Sequence, residues 1–491
     1  MIRVSRLGAY SRVVSVALGL LVISARVASA TEQGEDPFAT ALTLEEVTRT
    51  ADSFFPILQA ARLEGEVREE KLRTVRGAFD TTLSLDGEIT PLGFYENRTG
   101  SASIEQPTPL WGSRVYAGYR YGEGDFPSYQ GGELTDSAGE VHVGLDVPLF
   151  RGGRIDQARA SIAAAKLDRK SFTPEIELDR LRVIRDATLA YWDWVAAGRV
   201  VEITAALLEV AEARQTQIAR RVERGGEAEI NLADNQRLVV ERRARHRGAE
   251  RDFRQATLRL SLYYRDEEGS RIAVDASRLP ASFPEEFLLD SAMVASDLGR
   301  VRKEHPRLRQ LTIERERLAL DVRVAQNDGL PKVNLGLEGS QDFGNSRPGI
   351  DERGSLSSDS RSSTEVSLRM RFELPFQRRE ARGRLGVARI RLDQLDRRIQ
   401  FAAEQVETEA LIALESLEAA FVQTSQARQN VELADRLRTA EARKLRAGLS
   451  NLIDLNIREI QAASASQDLV QAQRAYFRAL AEYRARVAMN G

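Results

Sequence analysis

The sequence predicts a mainly α-helical protein with a small β part, in which one structural unit occurs twice. Residues 152–224 and 377–447 are long runs of helical character, and Pro174 is the only proline in either run. Shorter segments in each half alternate apolar and polar residues with the period of two that is typical of β-strands. Because the order of these segments repeats, we expect two copies of a unit built from a helix, strands and a helical hairpin.

Composition excludes several classes of function. Among 491 residues there are 71 basic and 73 acidic side chains, so no global charge indicates nucleic acid as a partner. The chain has no cysteine and only three widely separated histidines, which argues against disulfides, thiolate metal sites and cysteine nucleophiles. No serine–histidine arrangement or phosphate-binding glycine loop is apparent. We therefore expect neither an enzyme nor a bound metal or cofactor.

Residues 1–30 have the pattern of a signal peptide. Arg3, Arg6 and Arg12 form a basic start, residues 13–23 an apolar core, and Ala28-Ser-Ala30 a cleavage site of small residues. A retained anchor is the alternative, although an apolar core of eleven residues is too short to span a bilayer as a helix. No later run approaches eighteen apolar residues. We expect export, a polar leader over 31–42, and membrane insertion, if any, through strands.

The first structural repeat is predicted over residues 43–265. Thr43 followed by Glu46 is a capping-box pattern for a helix that breaks near Pro56 and resumes to about residue 76. Alternation then predicts one strand over 79–90 and another near 141–149. About 25 residues between them have no counterpart in the second half, and their alternating positions Val115, Ala117, Tyr119 and Tyr121 resemble a further strand. We interpret this surplus as an enlarged external hairpin; if it were inserted, the first half would supply four strands instead of two.

The second repeat is predicted over residues 305–491, with strands near 332–339 and 365–374. Between the repeats, residues 266–304 contain two prolines and a short strand candidate at 271–274, and we expect a small equatorial structure packed on the helices. Strands of this length fit a tilted bilayer crossing, although a half-buried soluble sheet alternates in the same way. Aromatic residues concentrated in 79–150 favour the membrane, because such rings gather at its interfaces.

The second long helix carries an alanine-rich seam with a spacing close to the 3.5 residues of a coiled coil. Small residues on such a seam allow neighbouring helices to approach closely. The remaining surface is rich in Glu, Gln and Arg, which suits water. The seam comprises Ile399, Ala402, Val406, Ala410, Ala413, Leu417, Ala420, Thr424, Ala427, Val431, Ala434 and Leu437.

Two short glycine-containing stretches are predicted to be turns between antiparallel helices. They are Arg-Gly-Gly-Glu at 224–227 and Arg-Ala-Gly-Leu-Ser at 446–450. When Gly225 is placed on Gly448, Asn231 falls on Asp454. The two turns are therefore predicted to be equivalent.

This order of elements, duplicated behind a signal peptide, resembles the TolC family of outer membrane efflux proteins over essentially the whole mature chain. The resemblance is carried by the strand-to-helix junction at residues 146–154, its degenerate copy at 372–377, and the two turns. It implies a homotrimer in which four strands per subunit close a twelve-stranded barrel in outer membrane lipid, continuous with a periplasmic α-barrel of long antiparallel helices. It also implies a passive conduit, for efflux or type I secretion, that works with a periplasmic adaptor and an inner-membrane transporter of RND or ABC type.

The resemblance also implies roles for the turns. In these adaptor-facing turns Gly225 and Gly448 permit the tight reversal, and the candidate adaptor contacts are Arg224, Arg446, Leu449 and Ser450. Asp454 with the aligned Asn231 are candidates for a pore gate. A second acid expected one helical turn after Asp454 is replaced by Ile457. The alternative is that the glycines only cap helix ends and that Asp454 only complements a helix dipole.

Two other functions remain open at this point. A soluble periplasmic coiled-coil protein, such as an adaptor, would share the long helices but would lack duplicated alternating runs of bilayer length. A structural or adhesive surface barrel would have the strands but would not need helices of about 100 Å.

Overall fold

The computed structural model describes residues 41–127, 133–345 and 363–488. The predicted signal peptide and almost all of the polar leader lie outside these residues. The first repeat begins with α1 (Leu44–Phe54) and α2 (Pro56–Arg76), which confirms the predicted break at Pro56. The hydroxyl of Thr43 accepts the Glu46 N–H at 3.2 Å, as predicted. The Glu46 carboxylate instead pairs with Arg278 at 2.8 Å, so only half of the capping box forms.

The long helices are continuous. α3 (Gln157–Glu223) accommodates Pro174 in its interior, and α4 (Glu229–Leu260) packs against it as an antiparallel hairpin. The second repeat contains α6 (Pro306–Asp328) and the matching hairpin of α7 (Arg379–Arg446) and α8 (Leu452–Arg486). At 1.5 Å per residue, α3 and α7 each extend for about 100 Å. Both predicted helical runs are confirmed.

The alanine-rich seam of α7 is buried over part of its predicted length. Val406, Ala410, Ala413, Leu417, Ala420 and Thr424 are buried, which places this stretch against neighbouring helices. Towards the turn the seam opens, and Leu437 is 50% exposed.

The strands form one antiparallel sheet in sequence order. They are β1 (Thr82–Thr90), β2 (Asn97–Pro107), β3 (Arg114–Gly124), β4 (Glu140–Pro148), β5 (Lys332–Asp342) and β6 (Thr364–Glu373). The expected four strands per subunit is therefore wrong. The surplus in the first half is a hairpin of two full-length strands, β2 and β3, that pairs along its whole length with β1 and β4. Its backbone amides and carbonyls pair on both sides within the sheet, so the hairpin is a part of the sheet and not a separate external loop.

The two faces of the sheet differ in chemical character across the six strands, although the apolar face also holds the Arg98–Glu123 ion pair. Positions in register on one face are mainly apolar, for example Leu85, Ala102, Tyr119 and Val141 on successive strands. The opposite face carries charged and polar side chains, including Asp86, Glu105, Arg114, Asp146, Glu338 and Arg371. Such two-sided alternation fits a wall between lipid and water.

The segment between the repeats packs on the helices, as expected, but the predicted strand at 271–274 is wrong. Only an isolated bridge between Arg265 and Arg271 forms there. The segment ends in α5 (Ser291–Glu304). Phe283 is buried against Trp192 of α3 and Phe477 of α8, with ring centroids 5.6 and 5.8 Å away. It therefore joins helices from both repeats.

Candidate functional site: the tips of the two helical hairpins

The two predicted turns have the same backbone construction. Gly225 and Gly448 adopt φ of +70° and +74°, a left-handed conformation that glycine tolerates best. In the first turn the N–H of Gly226 donates to the Arg221 carbonyl at 2.9 Å. In the second, the N–H of Leu449 donates to the Lys444 carbonyl at 2.9 Å. Both bonds link residues five apart, the signature of a Schellman helix end, so the predicted equivalence of the turns is confirmed in their geometry.

Both turns lie at the same end of the helices. Arg214, ten residues before the first turn, donates to the Asn456 side chain and, at 3.2 Å, to Glu459. Those two residues lie just after the second turn. Arg214 lies within about 15 Å of the first turn along α3, and Asn456 and Glu459 lie within the same distance of the second turn along α8. Their contacts therefore hold the two tips side by side.

The tips expose an unusual mixture of apolar and basic side chains. Leu449 is 78% exposed, Ile230 is 66% exposed and Ile453 is 63% exposed. Arg224 and Arg446 are exposed beside them. Exposed aliphatic groups rimmed by charge are typical of surfaces that bind another protein.

Ser450 has a role within the chain that the sequence did not reveal. Its hydroxyl donates to the Glu441 carboxylate at 2.5 Å and so ties the second turn back to α7. This hydrogen bond, with the nearby Lys444 ammonium, lowers the pKa of Glu441 below its ordinary value. The side chain is therefore already engaged inside the turn.

The two gate candidates differ in their surroundings. Asp454 is exposed in the first turn of α8, where its backbone N–H is capped by the Asn451 side chain at 2.9 Å. Asn231 is half-buried, and its amide donates to Glu227 at 2.5 Å within its own turn. The carboxylate therefore faces solvent, whereas the aligned amide is held by its own hairpin.

A buried charged cluster lies just behind the tips and was missed from the sequence. Arg242 of α4 is 2% exposed and contacts Glu459 of α8 at 3.1 Å, and Arg214 of α3 reaches the same carboxylate. Arg242 also donates to the Leu207 carbonyl at 2.7 Å. Burial lowers the pKa of Arg242, and the Glu459 carboxylate opposes this effect. The cluster fastens the first hairpin to the second.

Two further features are absent from the described residues, a metal-ligand cluster and a membrane-spanning helix. Within them, no group of three His, Cys, Asp or Glu side chains could hold a metal ion. No helix in the described ranges is long and apolar enough to cross a bilayer.

No protein-family model and no curated protein matches the sequence. Solved structures of outer membrane channels do match the fold. The outer-membrane channel OprN is 14% identical with a TM-score of 0.63, over 91% of this chain and 90% of that one. The open-state MtrE channel of Neisseria gonorrhoeae is 17% identical with a TM-score of 0.61, over 91% and 89%. CusC is 12% identical with a TM-score of 0.62, over 91% and 92%. The chain therefore has the fold of outer membrane channels, as the resemblance predicted.

Proposed function

We propose that this protein, which has the fold of outer membrane efflux channels, is itself such a channel, a TolC-like trimeric conduit from the periplasm to the exterior. The observation that carries this proposal is the six-stranded sheet, apolar on one face and polar on the other, joined to two equivalent hairpins of long helices. A sheet of this kind fits a membrane-spanning wall, and the hairpins fit a periplasmic tube.

We propose a homotrimer, which the resemblance to the TolC family implies, and the open edges of the sheet support an assembly of several copies. Six strands leave two open edges, and unpaired backbone groups are not tolerated in lipid. Further copies of the chain would close the ring. The conduit itself is passive, so energy and choice of cargo come from an inner-membrane transporter of RND or ABC type. Efflux and type I secretion both use this arrangement.

The proposed contact with a periplasmic adaptor lies at the hairpin tips. Leu449 and the arginines Arg224 and Arg446 supply the exposed surface. Gly225 and Gly448 set the backbone reversal, and Ser450 fixes the shape of the second turn through Glu441. In this proposal the glycines determine the shape of the turns, and the exposed side chains make the contacts with the adaptor.

Cell fractionation tests the proposed location and assembly. We expect the mature chain in the outer membrane fraction as a trimer that resists dodecyl sulfate until it is heated. A soluble periplasmic monomer would support the adaptor alternative and contradict the proposal.

Charge reversal at a tip tests the adaptor contact. Arg446→Glu should leave the trimer intact and reduce export of a dye or drug at least about tenfold, because an interface charge would become repulsive. Arg391→Glu is the matched control, since Arg391 is an exposed arginine near the opposite end of the same helix. Equal export by the two variants would rule out Arg446 as a contact.

We further propose that Asp454 acts as the gate, with one carboxylate from each subunit around the threefold axis. Three such charges would attract cations and repel anions at the mouth. Asp454→Asn removes the charge with little change of shape, and it should reduce cation selectivity in planar-bilayer recordings. Asp321→Asn, an exposed aspartate on α6, serves as control. A selectivity unchanged from the native channel would contradict the gate.

A further inference from the structure

The two edge strands differ from the rest of the sheet in their exposure. Eight of nine residues of β1 and nine of ten residues of β6 are exposed, on both faces. In β5, by contrast, only two of eleven are exposed. On the apolar face, Leu85 and Ile89 of β1 and Leu368 of β6 are each more than 70% exposed. Such edges, apolar on one side and unpaired along the backbone, require a covering strand.

The charged side chains on the polar face indicate which strand covers each of the two edges. Inside the sheet, both arginines of the polar face of β3 stand directly opposite an acid of β4: Arg114 pairs with Asp146 at 2.8 Å, and Arg120 pairs with Glu140 at 2.9 Å. At the edges the complementary charges are separated. β1 presents Asp86 and Glu88, and β6 presents Arg369 and Arg371 between Glu365 and Glu373. Neither the two acids of β1 nor the two arginines of β6 form an ion pair with any other described residue.

The two edges fit each other in register as well as in charge. β1 and β6 run in opposite directions, because six strands of a meander alternate. Pairing β6 of one copy with β1 of the next is therefore antiparallel. An alignment that sets Asp86 opposite Arg371 also sets Glu88 opposite Arg369. It places Leu85 opposite Phe372 on the other face, so the apolar and polar faces continue without interruption.

We propose that β6 of each subunit pairs with β1 of its neighbour, so that the trimer closes an eighteen-stranded barrel. This inference rests on the proposed trimeric channel and changes its dimensions. Barrel diameter grows roughly in proportion to strand number, so the barrel is about 1.5 times as wide as one of twelve strands, with about twice the cross-section. The partner at each edge is a second copy of this chain, and the exit through the membrane admits bulkier cargo than twelve strands would allow.

The additional hairpin is built as part of the wall. Its two strands continue the apolar face through Ala102 on β2 and Ala117 on β3. Its turn at the helical end is also anchored: a Cβ on Gly112 would come within 2.5 Å of the Gly152 carbonyl, and the Trp111 ring lies against Gly153. Gly152 and Gly153 lie in the connection between β4 and α3. The hairpin is thus fixed both to the sheet and to the start of a long helix.

Cysteine labelling tests whether the hairpin lies in the barrel wall. The native chain has no cysteine, so every label reports the introduced site. In outer membranes, Ala102→Cys and Ala117→Cys should react with a water-soluble maleimide at least about tenfold more slowly than Ser103→Cys, because an apolar setting disfavours the thiolate. Leu337→Cys and Ser340→Cys on β5 provide the matched apolar-face and polar-face references.

Cross-linking tests the pairing of the edges. The double variant Asp86→Cys with Arg371→Cys should form covalent dimers and trimers on oxidation, because opposed side chains in an antiparallel pair lie within disulfide range. A shift of two residues would move the cross-link to Asp86→Cys with Arg369→Cys and would equally support the barrel. Asp86→Cys with Ser340→Cys should give none, since β5 is an interior strand.

The outcomes separate this inference from the proposed function. If Ala102→Cys reacts as fast as Ser103→Cys in a trimer located in the outer membrane, the hairpin lies outside the wall and only the eighteen-stranded barrel is overturned. An outer membrane trimer that forms no β1–β6 cross-link in either register would likewise overturn only the eighteen-stranded barrel. If no outer membrane trimer forms, the proposed function itself fails.

Discussion

Arg242 shows how single residues behind the tips hold the two hairpins together. A guanidinium that is 2% exposed loses its hydration, and Glu459 supplies the compensating negative charge from the other hairpin. Arg214 shares that carboxylate. Two positive groups therefore share one acid, and their ion pairs link α3 and α4 of the first hairpin to α8 of the second.

Neutralising that acid should loosen the end of the molecule. Glu459→Gln leaves Arg242 and Arg214 without a countercharge, and we expect a loss of about 3–5 kcal/mol in the free energy of unfolding. Glu212→Gln is the matched control, because Glu212 pairs with Arg243 at 2.5 Å where both side chains are about half exposed. Such a surface pair contributes about 0–1 kcal/mol. Denaturant titration of the purified protein, followed by circular dichroism, should separate the two variants, and equal losses would contradict the compensating role.

Sequence reasoning could not identify this cluster. Arg242 and Glu459 look like any of the charged residues that cover solvated helices, and 217 residues separate them. Their importance depends on which faces of α4 and α8 meet, and neither helix has a clean apolar stripe to reveal it. The turns were easier to predict, because a glycine after a helical run, such as Gly225 or Gly448, indicates a left-handed helix end by residue type alone.

At the scale of elements, the first turn offers a matched pair of glycines. Gly225 has φ of +70° with open space around it, whereas the adjacent Gly226 does not adopt a positive φ, and a Cβ there would meet the Arg221 carbonyl at an ordinary 3.7 Å. Gly225→Ala should therefore cost about 1–2 kcal/mol through backbone conformation alone. Gly226→Ala should cost much less. Hydrogen exchange of amides at 221–229 measures the difference, and similar protection in both variants would show that the left-handed conformation is not what secures the turn.

The strand count was underestimated for a physical reason. The apolar-face positions of β2 hold Arg98, Gly100, Ala102 and Ile104, so β2 lacks the large alternating side chains that marked β1 and β4. Its neighbour β3 alternates more clearly through Val115, Ala117 and Tyr119. β2 is stabilised as a strand by backbone pairing on both sides, which is a property of the assembled sheet.

Across the whole molecule, the two repeats are joined by an aromatic stack at the segment between them. Trp192 of α3 stacks on Phe477 of α8 with ring centroids 4.2 Å apart, and Phe283 lies against both. Nearby, Tyr476 donates its hydroxyl to the Phe287 carbonyl at 2.7 Å. The segment therefore fixes the relative position of the repeats, at a distance from both the sheet and the tips.

Removing one ring from this stack tests that role. Phe283 is 8% exposed, so Phe283→Ala leaves a cavity between the repeats and should destabilise the protein by about 3–5 kcal/mol. Phe287→Ala makes the same chemical change at a side chain that is 46% exposed, and the loss should be clearly smaller. We expect limited proteolysis to cut Phe283→Ala within residues 266–290 faster than Phe287→Ala, because the segment loses its anchor. Cleavage of both variants at the native rate would mean that α5 and its backbone contacts, not the aromatic stack, hold the repeats together.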